Sequence, residues 1–166
     1  YNSIRFDEEV LRSSFFQSLH DPYLTNTNKN SRTDLFKIVL GLEALNRDVL
    51  KIPIIEKTGR PSFKLELIAK ANGIIHKKAH DALSDVEATI EVARIIKDKA
   101  SDYWDECMKI LSPRDLMEYI STNDYFYSAP EHAAKNVTYK PLSFLTNNPN
   151  NNKELAFFDL NNDPKN

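Results

Sequence analysis

The chain has 166 residues, 41% of them hydrophobic and 28% charged, with 22 Lys+Arg against 24 Asp+Glu and a formal net charge of −2. That is ordinary globular composition with room for one full core and part of another module, and the near-balanced charge argues against a purely electrostatic nucleic-acid binder. Its single cysteine, Cys107, excludes an internal disulfide and a Cys-based zinc site and fits a reducing, cytoplasmic setting, and there is no membrane-length apolar run and no signal-peptide pattern.

In chain order, Asp7 to Leu19 has Val10, Leu11, Phe15 and Leu19 at helical spacing, with Asp7 placed to cap the start. His20 to Arg32 is polar and reads as a loop. Asp34 caps a second helix to Leu45, with Leu35, Ile38, Val39, Leu42 and Leu45 as its apolar stripe. Asn46 to Pro61 is a variable connector. Ser62 is expected to cap a third helix with Leu65, Ile68 and Ala69 on one face and Gly73 at its end. A fourth helix spans Ala82 to Lys99, with Leu83, Val86, Ile90 and Ala93 expected in the core and Glu87, Glu91 and Arg94 in water. Ser112-Pro113-Arg114-Asp115 starts a helix through Ile120.

Near Thr122 the composition shifts. Tyr125 to Tyr127, Val137 to Leu145 and Glu154 to Leu160 read as strands, with the asparagine run 147–152 as a loop between the last two. Residues 1–121 and 122–166 are therefore expected to be separate modules. The chain opens on Tyr1 rather than Met, and Asn161 to Asn166 stops without an ending element. It is expected to be a piece of a longer protein, cut at both ends.

Chemistry concentrates in two places. His80-Asp81-Ala82-Leu83-Ser84-Asp85 leads into the fourth helix, and Asn2-Ser3-Ile4-Arg5-Phe6-Asp7 leads into the first. Acids at helix starts flanking one histidine suit metal-dependent phosphodiester hydrolysis. Hard cations such as magnesium take oxygen ligands, and a neutral histidine can accept a proton from the attacking water. The plainer reading of each acid alone is a helix cap, and two carboxylates are too few for two-metal chemistry. His76 and His80 have i, i+4 spacing, but no Glu follows the first, so a zinc-protease helix is excluded. Lys77-Lys78 is a solvated pair, and Cys107 reads as a small buried hydrophobe.

Asn2, Phe6 and Asp7, then Leu65, Ile68, Ala69, Gly73 and Ile74, then His80, Ala82, Leu83 and Asp85 resemble two motifs of the D-E-D-D-h 3′→5′ exonuclease superfamily. The blocks Tyr1 to Val10, Asp21-Pro22-Tyr23, Asn30 to Leu35, Arg60 to Glu66 and Ala71 to His76 are similar to the bacterial exonuclease I family within it. The resemblance covers Tyr1 to about Lys99 and is weak beyond Thr122. It implies an α/β, ribonuclease-H-like exonuclease core, incomplete because its first strands are missing, followed by the start of an SH3-like β module. It further implies degradation of single-stranded DNA to 5′-mononucleotides with two Mg2+ ions. Asp7 and Asp85 would be metal ligands and His80 the general base. The family's other two acids lie in an upstream D-x-E that these residues lack, so the chain alone is expected to be inactive.

Arg12, Tyr23, Phe63 and Lys64 are the implied single-stranded DNA contacts, the basic residues to phosphate and the aromatics stacking on bases. The competing readings are solvated charges for Arg12 and Lys64 and core packing for Tyr23 and Phe63. Docking to single-strand DNA-binding protein and a monomeric, cytoplasmic enzyme also follow from the resemblance. Two alternatives stay open: a related exonuclease acting on RNA or in proofreading, and a non-catalytic single-strand-binding remnant.

Overall fold

A computed structural model describes residues 1–4, 7–27, 29–75, 81–128, 130–133 and 136–165. The elements run α1 (Asp7–Gln17), α2 (Leu35–Ala44), β1 (Ile54–Ile55), β2 (Arg60–Pro61), α3 (Leu65–Ala71), α4 (Ala82–Lys99), α5 (Ser101–Met108), α6 (Pro113–Thr122), β3 (Phe126–Tyr127), β4 (Glu131–Ala133), β5 (Asn136–Thr138), β6 (Pro141–Asn148) and β7 (Asn151–Asp159). Every strand pair among the described residues is antiparallel. No helix among them is long and apolar enough to cross a membrane.

The core is built on α2. Asp34 accepts the Phe36 amide at 3.0 Å and so caps the helix, as its position predicts. Leu35, Ile38, Val39, Leu40, Gly41 and Leu42 are all buried. A helix apolar all round is one packed on several sides, and α2 shares its core with Phe63, Ile68, Val92, Ile96 and Ala100. Tyr103 of α5 crosses over Gly41 and donates its hydroxyl to the Ile38 carbonyl at 2.8 Å. Burial pushes the tyrosine hydroxyl and the neighbouring Cys107 thiol upward in pKa. Cys107 is half-buried against the core rather than fully inside it.

Helix α4 has the expected bounds. Asp81 caps it by accepting the Ser84 amide at 3.2 Å, and Lys97 and Lys99 lie in its last turn, where the helix dipole favours cations. Its inward face differs from the expectation. Ser84, Ala88, Val92 and Ile96 are buried at i, i+4 spacing, whereas Leu83 is 67% exposed and Val86 and Ile90 are also exposed. Helices α3 and α4 pack together, and the buried stripe of α4 runs through Ser84, Ala88, Val92 and Ile96, leaving the larger apolar side chains at 83, 86 and 90 outward. Helix α1 ends at Gln17, short of the expected Leu19, and likewise has no buried residue; its Val10, Leu11 and Phe16 are exposed, as is Leu19 beyond its end.

Three further local differences have clear causes. The expected connector contains the hairpin β1–β2, its turn closed by the Gly59 amide on the Ile55 carbonyl at 2.8 Å; Gly59 has φ +63, a conformation glycine adopts at little cost. Ser62 does not cap α3. It is buried and donates its amide to Pro53 O at 2.8 Å, and Lys64 holds the cap position without a side-chain bond. The Asn72 side chain brackets the Lys51 amide and carbonyl at 2.9 and 3.0 Å, fixing the connector to the end of α3. Helix α5 was not foreseen; it follows α4 after Ala100 alone.

Helix α6 starts as predicted, with Ser112 accepting the Asp115 amide at 3.2 Å and Pro113 in the first turn. Strands then replace helices. The sheet runs β3-β6-β7, with β4–β5 as a separate hairpin. The asparagine run is mostly strand rather than loop. Asn148 pairs with Asn151 around a two-residue turn, and the Glu154 carboxylate accepts from both side-chain amides, at 2.7 and 2.8 Å. Phe126, Phe144 and Phe157 meet edge to face inside this sheet.

Candidate active site

Asp7 lies in the first turn of α1, and the segment before that helix is tied to the core. The Tyr1 hydroxyl donates to the Phe63 carbonyl at 2.7 Å, and its ring meets Phe36 edge-on at 5.6 Å. The Asn2 amide donates to the same Asp34 carboxylate that caps α2, at 2.6 Å. One aspartate thus anchors two elements. The Tyr1 hydroxyl, desolvated and facing Asp34, is held far above its ordinary pKa.

Beside Asp7 sits a charge cluster. The Glu8 side chain, 12% exposed, pairs with Arg12 at 3.2 Å and with Arg32, and accepts the Thr25 hydroxyl at 3.2 Å. Arg12 also lies over the Tyr23 ring, 5.3 Å from its centroid. Asp7, Glu8, Thr25 and Arg32 line a cleft of about 460 Å³ together with Ser3, Ile4, Leu11, Ser31 and Thr33. Two guanidiniums on Glu8, with the Asp7 carboxylate beside them, set two positive against two negative charges around the site.

The second acid, Asp85, is half-buried in the first turn of α4. Its backbone is fixed on both sides: the Asp85 amide donates to Asp81 O at 2.9 Å, and its carbonyl accepts the Thr89 hydroxyl at 2.7 Å. His80, with His76, Lys77 and Lys78, lies outside the described residues. Asp7 and Asp85 offer the hard oxygen donors that magnesium prefers. Among the described residues no group of three or more His, Cys, Asp or Glu side chains converges to hold a metal. The two acids therefore fit such an ion as part of a ligand set and not as the whole of one.

The expected DNA contacts separate. Tyr23 is 52% exposed and shares a ring face with Arg12. Lys64 is exposed at the start of α3. Phe63 is corrected: it is 6% exposed and packs edge-on against Phe36 in the core, so it offers no ring face to a base, and core packing is its role. Glu8 and Arg32 were missed. The Glu8–Arg12 spacing of i, i+4 was a visible signal, whereas Arg32 comes from a distant loop that only the tertiary structure brings in.

A scan of family models finds no match. The chain is 39% identical over 121 residues to exodeoxyribonuclease I of Escherichia coli K12, covering 72% of this chain and 25% of that protein. It is 43% identical over 100 residues to exodeoxyribonuclease I of Haemophilus influenzae, covering 60% and 21%. The chain thus spans about a quarter of the length of these curated relatives. Among solved structures it is similar to E. coli exonuclease I in complex with a dA16 oligonucleotide, at TM-score 0.80 and 30% identity, covering 99% of this chain and 36% of that one. It is also similar to the zinc-bound E. coli exonuclease I–single-stranded DNA complex (TM-score 0.76, 31% identity, 98% and 35% covered) and to an exonuclease I complex with the SSB C-terminal peptide (TM-score 0.76, 30% identity, 98% and 36% covered). The mixed helix-and-strand fold class expected from the sequence agrees with these structures.

Proposed function

We propose, from the premise that this chain belongs to the exodeoxyribonuclease I family, that the native gene product removes nucleotides from the 3′ end of single-stranded DNA and releases 5′-mononucleotides. The observation that carries the reading is the similarity, over 99% of the chain, to an exonuclease I holding a dA16 strand. The cleft that Asp7 shares with the Arg32 guanidinium supports it.

In this reading Asp7 and Asp85 act with further donors to hold divalent cations, Mg2+ in the cell. Such ions would supply Lewis acidity toward the phosphodiester and its attacking water. His80 accepts the proton that the water loses as it attacks phosphorus. Arg12 and Lys64 offset phosphate charge, and Tyr23 stacks on an unpaired base. Residues 1–121 belong to the exonuclease core and 122–166 to an SH3-like module; the change from helices to strands after Thr122 supports that division. Docking of single-strand DNA-binding protein is part of the proposal, supported by the similarity to the complex with the SSB C-terminal peptide. A monomeric, cytoplasmic enzyme completes it.

The test uses the native gene product, Mg2+ and 5′-labelled oligonucleotides. Single-stranded DNA should shorten one nucleotide at a time from its 3′ end, and chelation should stop the reaction. Equal degradation of RNA would favour another branch of the superfamily. Tight binding without shortening would favour a non-catalytic binding protein. The 166 residues alone, with two acids available, should not turn over the same strand.

A further inference from the structure

We propose that Arg32 contacts a phosphate of the bound strand and that Glu8 is the positioning residue that holds it there. The inference rests on the exonuclease reading and deepens it.

Arg32 lines the same cleft as Asp7, so a phosphodiester presented to Asp7 lies beside its guanidinium. Its side chain retains 29% exposure, enough to meet a ligand. Glu8 pairs with Arg32 and with Arg12, and the Thr25 hydroxyl adds a third ligand to that carboxylate. A nearly buried carboxylate held by three donors on two elements is fixed in place, and it fixes what it holds. Asp7 and Glu8 balance Arg12 and Arg32 in charge, so in the exonuclease reading a cation bound at Asp7 leaves Arg32 free to face a phosphate. The Arg32 side chain borders that open cleft, and a guanidinium fork matches the oxygens of a phosphodiester. The buried Arg12 Nε has no hydrogen-bond partner among the described residues, so the cluster's donors are not all used.

The experiment measures single-stranded DNA affinity of the native gene product against salt, with Ca2+ replacing Mg2+ so that the strand stays intact. Arg32→Gln should weaken binding roughly tenfold or more, and the slope of log affinity against log salt should fall by about one. Glu8→Gln should weaken binding while leaving that slope unchanged, because both cations remain but are no longer held. An Arg32→Gln protein that folds and binds with the wild-type affinity and slope overturns the proposal. If Arg32→Gln does not fold, Arg32→Lys is compared with wild type on strands carrying one neutral methylphosphonate linkage at each position in turn. The wild type should lose affinity at one linkage near the 3′ end, and Arg32→Lys should lose less there; equal losses at every linkage overturn the contact. A wild-type protein that does not bind single-stranded DNA at all would instead overturn the exonuclease reading.

Discussion

Replacing Asp85 by Asn in the native gene product should lower turnover of single-stranded DNA roughly a thousandfold, the scale of several kcal/mol of lost transition-state stabilisation. The fold should hold. Asn has the same shape, Asp81 still caps α4, and the backbone at position 85 is fixed by Asp81 and Thr89. What is lost is one negative oxygen donor, plus a favourable charge at a helix start worth about 0.3–1 kcal/mol. Steady-state kinetics across a Mg2+ titration is the check. The Asn variant should need far more Mg2+ and remain slow at saturation, with its DNA affinity in Ca2+ little changed. Turnover within tenfold of wild type would reduce Asp85 to an ordinary acid at the start of a helix.

Gly41→Ala should destabilise the chain by about 2 kcal/mol, lowering Tm by several degrees. A Cβ at position 41 would lie 2.1 Å from the Tyr103 hydroxyl oxygen and 3.2 Å from the ring carbon bearing it. The ring must then swing away, and its bond to the Ile38 carbonyl breaks. Gly41 is helical, so alanine brings back up to about 1 kcal/mol in propensity, which sets the net figure. Thermal or urea unfolding of a double-mutant cycle with Tyr103→Phe separates the terms. Without the hydroxyl, most of the alanine penalty should disappear. An unchanged penalty in the Phe background would place the strain elsewhere.

Helix positions were legible where capping chemistry marked the start, as at Asp34 for α2 and Ser112 for α6, and the bounds of α4 were legible from its apolar content. Which face of α4 turns inward was not. Apolar residues at 83, 86, 90, 92 and 96 make two overlapping stripes, and close packing on Ser84 and Ala88 selected between them. Ser62 has good capping chemistry, but the chain stays extended past the β1–β2 hairpin and α3 begins only at Leu65, so Lys64 rather than Ser62 holds the cap position. The asparagine run looked like a loop by composition; Glu154 makes it a strand end by satisfying two side-chain amides at once. For the site, local motifs marked the acids because each opens a helix. The Glu8–Arg32 pair depends on a loop folding back over α1, and Phe63 could be assigned to core or stacking only once its neighbours were known.

Helix α1 holds Asp7 yet contributes no buried side chain. The helix itself is tied by charge and hydroxyl contacts, the Glu8 pairs and the Thr25 hydroxyl, whereas the segment ahead of it is held by Tyr1 against Phe36 and by the Asn2–Asp34 bond. In this 166-residue chain, α1 therefore forms a separate opening unit. Its amides should exchange with solvent at far lower free energy than those around Val39, Val92 or Ile96, whose exposure requires the core to come apart. Raising ionic strength should therefore loosen the charge pairs around the first carboxylate while leaving the Tyr1–Phe36 contact ahead of it intact.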